Sequence, residues 1–137
     1  MGDANTVAEI PKAAVKFDQG KLKWDLVPWD AIQKLVELYT IGAAKYDDNN
    51  WLRGGFRYGR ALAAAMRHLM AWWLSKLFGG DGLDHDNDVY CQQLGLPTPS
   101  HLTAAMWNIV ALLTYELRGL GEDDRPTPAN PSNVSPA

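Results

Sequence analysis

Apolar positions recur at helical spacing in three blocks of this chain, separated by stretches rich in glycine, aspartate and asparagine. In the first block Ile32, Leu35, Val36, Tyr39 and Ala43 share one face of a helix of about 3.6 residues per turn. Pro28 and the pair Asp30 and Gln33 are start signals, so the spacing predicts a helix from Pro28 or Ala31 to Ala44. Asp30, Gln33 and Glu37 lie within a narrow angle on the neighbouring face, and Glu37 is the only acidic residue between Asp30 and Asp47. A single charge on an amphipathic helix ordinarily faces solvent, and the helix by itself asks nothing more of Glu37. The turn KYDDNNWLRGGF ends this block, because Asp, Asn and Gly favour turns over continued helix.

The second block predicts a helix over Gly59–Phe78, with Leu62, Met66, Leu69 and Trp73 in one stripe and Ala65 and Leu77 beside it. Its opposite stripe reads Arg60, Ala64, Arg67, His68, Ala71 and Ser75. Alanines between cations make a shallow face that a ligand can approach, although a plain solvated face has the same pattern. The third block opens at Ser100, a good N-cap, and runs to Arg118, where Gly119 stops it. It is apolar nearly all round and is expected to be the most buried element. His101 and Asn108 share one of its faces and are expected to satisfy each other in the core, since buried polar groups need partners.

Between the last two blocks, Gly79–Pro99 reads as a loop. No alternating strand pattern and no internal repeat stands out, so the fold class is all-α, a compact bundle of three to four helices. Three amphipathic helices leave apolar surface uncovered, and a second copy of the chain is expected to cover it. Residues 1–15 read as a flexible arm, 16–119 as the folded domain and 120–137 as a disordered, proline-rich tail.

Composition narrows the function. The chain has 137 residues, a net charge of −3 and a pI near 5.5, which argues against a nucleic-acid partner. Six tryptophans are many for this length and suit either dense packing or stacking on a flat ligand. The one cysteine, Cys91, sits in the predicted loop with no motif to activate it, and a lone thiol fits a reducing cytoplasm. No secretory leader and no span for a bilayer is expected, which points to a soluble protein with no membrane partner.

The polar residues offer one local signal for a hard cation: Asp81, Asp84, Asp86 and Asp88 within the loop. An EF-hand register fails, because Val89 stands where it needs glycine and Gly95 where it needs glutamate. The cysteine and histidine spacings match no zinc motif. His68 followed by the dipeptide His85-Asp86 has the residue order of an HD-type phosphohydrolase, but the dipeptide falls in a glycine-rich loop rather than on a helix. A solvated, aspartate-rich turn accounts for the same residues without any metal.

Taken together and in order, KFDQGKLKWDLVPWDA, IGAAKYDDNNW, RHLMAWW, GDGLD and HLTAAMWNIVALL resemble the phage dATP/dGTP diphosphohydrolases, small all-α relatives of the MazG-type NTP pyrophosphatases. The resemblance covers Lys16 to Leu117 and is nearest to the (d)GTP-specific members from phages that use 2-aminoadenine. It implies hydrolysis of a purine dNTP, with dGTP preferred, to dNMP and pyrophosphate by water attack on the α-phosphorus. It implies two or three Mg²⁺ or Mn²⁺ ions and a homo-oligomer, dimer or tetramer, in the host cytoplasm.

Carried over to this sequence, the resemblance makes Glu37, Asp81 and Asp84 metal ligands, with Asp86 a fourth. It makes Glu37, His68 and Lys45 catalytic, and Lys16, Lys21, Lys45 and Arg67 phosphate contacts. Trp24, Asn50 and Trp51 would meet the base and sugar. The family's paired acids on the first helix are reduced here to Glu37, since Thr40 and Ile41 follow, and the second helix carries no acid. The alternatives are a non-catalytic helical oligomer that binds metal or nucleotide, and the HD-type hydrolase.

Overall fold

The computed structural model describes residues 13–131, so the outer parts of the predicted arm and tail, 1–12 and 132–137, lie outside the described residues. Four α-helices are present among the described residues: α1 (Trp29–Lys45), α2 (Tyr58–Leu74), α3 (Asp88–Leu94) and α4 (His101–Arg118). Short 3-10 turns precede α1 at Trp24–Leu26, follow it at Asn50–Leu52 and precede α3 at His85–Asn87. The all-α class read from the sequence is the observed one.

α2 and α4 run antiparallel and form the principal pair. Ala61 and Ala65 of α2 and Ala104, Ala105 and Ala111 of α4 are buried, and small side chains let two helix axes approach closely. α1 and α3 pack beside this pair. Leu38 and Ile41 of α1 meet Cys91 of α3 and Ala104 of α4, with Tyr90, Leu96 and Trp107 around them.

The start and stop of α4 are as expected. The Ser100 side chain accepts a hydrogen bond from the Leu102 N–H at 3.0 Å, and Gly119 takes the left-handed conformation at the other end. Its burial differs from expectation. α4 supplies Thr103, Ala104, Ala105, Ala111 and Tyr115 to the interior, yet Leu102, Ile109, Leu113 and Leu117 form an exposed stripe.

α2 ends at Leu74, four residues short of the predicted Phe78, and the chain turns there. The Ser75 hydroxyl donates to the Trp72 carbonyl at 2.8 Å, and the Gly80 N–H bonds the Ser75 carbonyl at 2.7 Å. The stretch Gly79–Pro99, read as a loop, contains α3, and Cys91 lies on that helix rather than in a loop, only 2% exposed.

Residues 120–124 return to the start of α2. The Gly121 N–H bonds the Gly54 carbonyl, the Glu122 N–H bonds the Phe56 carbonyl, and the Tyr58 N–H bonds the Glu122 carbonyl, at 3.0, 3.1 and 2.9 Å. Arg57 pairs with Glu122 at 3.0 Å. α2 has no capping side chain of its own at Arg57, and the Asp124 carboxylate takes that role by accepting from the Gly59 N–H at 2.8 Å.

Candidate active site

The end of α1, the turn after it, α2, the aspartate stretch and α4 enclose an open cavity of about 670 Å³. One part of its wall is aromatic. Tyr39, Trp51 and Trp107 pack with ring centroids 5.6 to 5.9 Å apart, and Phe56 and Tyr46 also line the cavity. Trp51 is held from behind: the Tyr115 hydroxyl donates to its carbonyl at 2.7 Å, and the two rings are 5.9 Å apart.

Another part is charged. Lys45, at the last position of α1, bonds the Asn87 side chain at 3.0 Å. Arg60 lies over the Phe56 ring at 5.4 Å. Both cations line the cavity, as do Asp47, Asp48, Asp84 and Asp86.

The aspartate stretch is tied to the start of α4. The Asp84 N–H bonds the Pro99 carbonyl at 2.8 Å, and the His101 N–H bonds the Gly82 carbonyl at 2.9 Å. That short bridge sets Asp84 beside the first turn of α4, where antiparallel packing brings His68 of α2. His68 and His101 face each other through their Nδ1 atoms at 2.9 Å. Each of His68, Asp84 and His101 offers a donor atom, all within 4.8 Å of one another, and Asp84 is only 6% exposed. Burial pushes the His68 imidazole below its ordinary range, while the nearby Asp84 carboxylate works in the opposite direction.

Two imidazole nitrogens and one carboxylate oxygen form a chemically coherent donor set for a divalent ion. Nitrogen ligands about 2.1 Å from a metal and at right angles to each other would be about 3.0 Å apart, close to the 2.9 Å between the two Nδ1 atoms.

The expected site residues divide. Lys45, Asn50, Trp51, His68, Asp84 and Asp86 all line the one cavity. Glu37, Asp81, Arg67, Lys16, Lys21 and Trp24 do not line it. The Glu37 side chain is only 16% exposed on α1 and pairs with Lys34 at 3.3 Å. Asp81 and Asp88 grip the two ring nitrogens of His85, each at 2.8 Å. These bonds raise the His85 pKa and lower that of Asp88, while Asp81 is lowered first by the Leu83 N–H bond that it accepts and then by His85. Arg67 is exposed, as are Lys16, Lys21 and Trp24 in the segment before α1, where the Trp24 carbonyl accepts from the Trp29 indole at 3.0 Å.

His101, Arg60 and Trp107 were missed as site residues. Nothing in their local spacing marks them, because their meaning comes from contacts across helices; the cation on the α2 face was the one available signal for Arg60. His101 and Asn108 do not satisfy each other. His101 turns to His68, and the Asn108 amide donates to the Ala104 carbonyl at 2.9 Å.

An all-α bundle whose cavity sets aromatic rings beside cations and a histidine–carboxylate cluster has the character of a nucleotide-processing enzyme. The chain belongs to the dATP/dGTP diphosphohydrolase family, whose N-terminal-domain model matches residues 11–125. It is therefore an enzyme, a nucleoside triphosphate pyrophosphohydrolase. No curated protein and no solved structure gives a match. Among the described residues no helix is long and apolar enough to cross a membrane.

Proposed function

We propose that the cavity binds a purine deoxynucleoside triphosphate, with dGTP the preferred substrate, and releases dNMP and pyrophosphate in a metal-dependent reaction. The observation that carries this reading is that one cavity presents both stacking rings and opposed charges: Trp51 and Trp107 on one part, Lys45, Arg60, His68, Asp84 and Asp86 on another. A purine has two flat faces that suit an indole wall. The triphosphate's negative charge suits Lys45 and Arg60, and a planar guanidinium can grip two phosphate oxygens at once.

In the reaction a water oxygen bonds to the α-phosphorus, the bond from that phosphorus to the oxygen bridging the α- and β-phosphates breaks, and pyrophosphate leaves with that oxygen and the bonding electrons. The proton released by the water passes to a cavity carboxylate, for which Asp86 stands open. A divalent ion bound beside Asp84 would neutralise phosphate charge and acidify the water. The exposed apolar stripes of α2 (Leu62, Met66, Leu69, Trp73) and α4 (Leu102, Ile109, Leu113, Leu117) supply a face for a second copy, and the active form is a homo-oligomer. Production of dGMP in a phage that uses 2-aminoadenine is the biological setting this activity fits.

Incubating the protein with each dNTP and rNTP plus Mg²⁺ or Mn²⁺, and separating the products, tests the reading. The expected products are dNMP and pyrophosphate, fastest from dGTP. Absence of turnover with every nucleotide would leave a binding module, and release of orthophosphate or tripolyphosphate would mean a different phosphohydrolase. Asp84→Asn is expected to lower kcat by on the order of 100-fold. Glu37→Gln, which tests the helix carboxylate that the family resemblance puts forward, is expected to cost less. The reverse order would move the chemistry onto α1.

A further inference from the structure

We infer that His68, His101 and Asp84 hold a single transition-metal dication, such as Mn²⁺, Fe²⁺, Co²⁺ or Zn²⁺, in preference to Mg²⁺. The inference rests on reading the cavity as the hydrolytic site and gives that site its ion. The sequence offers a row of aspartates, a pattern suited to hard, oxygen-bound cations. The fold breaks up that row. His85 engages Asp81 and Asp88, and only Asp84 of the four is buried. The partners brought to Asp84 are two imidazoles, not further carboxylates.

Mg²⁺ favours oxygen ligands and gives up water reluctantly, whereas imidazole nitrogen favours later first-row ions. At 2.9 Å the two Nδ1 atoms are within hydrogen-bond distance, an arrangement in which one ring donates a proton and the other accepts it. A dication takes the place of that proton, with both nitrogens turned to it as lone-pair donors. Only three protein atoms are committed, so the ion keeps positions for phosphate oxygens and water. His68 and Asp84 border the cavity, so an ion held there would be within reach of a bound phosphate. The two histidines stand on different helices, so the ion also ties α2 to α4.

The test is direct ion binding by the full chain after removal of metal with a chelator. Co²⁺ is titrated by its visible d–d absorption, and Mn²⁺, Zn²⁺ and Mg²⁺ by calorimetry without nucleotide. The expected result is one ion per chain, with Co²⁺ and Zn²⁺ bound at least about 100-fold more tightly than Mg²⁺. His68→Ala, His101→Ala and Asp84→Asn are each expected to weaken binding at least tenfold, and His101→Gln, which fills similar space without an imidazole, to do the same. Circular dichroism of every variant reports the fold, and Asp123→Asn serves as the control carboxylate.

Equal affinity for Mg²⁺, or binding that survives both histidine replacements and is lost in Asp81→Asn, would overturn the proposal. Tight, histidine-dependent ion binding without hydrolysis of any nucleotide would sink the functional reading alone. Hydrolysis with no histidine-dependent ion binding would sink the metal site alone.

Discussion

Tyr115 touches several parts of the molecule through one side chain. Its ring packs against those of Trp51, Phe56 and Tyr58, its hydroxyl bonds the Trp51 carbonyl, and none of it is exposed. Burial raises its pKa above the ordinary 10.0. The unfolded chain therefore loses this proton at lower pH than the folded one does. Its contribution to stability is complete below about pH 10 and declines as pH rises toward the folded value. In an alkaline titration, phenolate absorbance from Tyr115 should appear together with loss of helix, and Tyr115→Phe should remove that component. Ionisation of Tyr115 well before unfolding would contradict the burial argument.

At this scale the sequence is least legible. Ser100 and Gly119 are readable because a cap acts on its own neighbours. His101 is not, since its partner is 33 residues away on another helix. Cys91 resembled a loop thiol because α3 is too short to display a helical period. Asp88 and Gly95 at its two ends were the available signals.

Among the elements, α1 and α4 follow directly from their periodicity and their end signals. α2 was overextended because nothing before Gly79 breaks the pattern, while the actual end is set by the turn at Ser75. The stretch from Gly121 looked unstructured on account of its prolines and small polar residues, yet residues 121–124 bond to the start of α2. The fit at that contact is close. Gly55 has a φ of +73°, and a Cβ there would come within 2.5 Å of the Gly121 nitrogen. Gly55→Ala should therefore separate the two segments and cost about 2 kcal/mol or more, read as a lowered urea midpoint. A neutral result would mean that the contact contributes nothing to stability.

For the whole molecule, composition and pattern were enough for the all-α class, and the distribution of side chains over its surface bears on assembly. Leu62, Met66 and Trp73 of α2 and Ile109, Leu113 and Leu117 of α4 are each more than half exposed. Stripes of this kind on two packed helices are unusual for a monomer. Light scattering on the full chain should give a mass of at least two copies, and Trp73→Lys combined with Leu113→Lys should shift it toward one. A monomeric mass for the unaltered chain at micromolar concentration would remove the homo-oligomer from the proposal. The extent of the apolar surface was readable from the three blocks; which side chains the α2–α4 packing would leave outside was not.

The bonds joining Gly54–Gly59 to Gly121–Asp124 have a consequence in time. In vectorial synthesis α1, the Trp51 turn and α2 all emerge before their distant partner exists. A contact between segments so far apart must overcome a large loop-closure entropy before it gains anything. The support that Tyr115 gives Trp51 arrives with α4, and the contact from Gly121–Asp124 can close only after α4 is in place, so the start of α2 is the last part of the bundle to be locked.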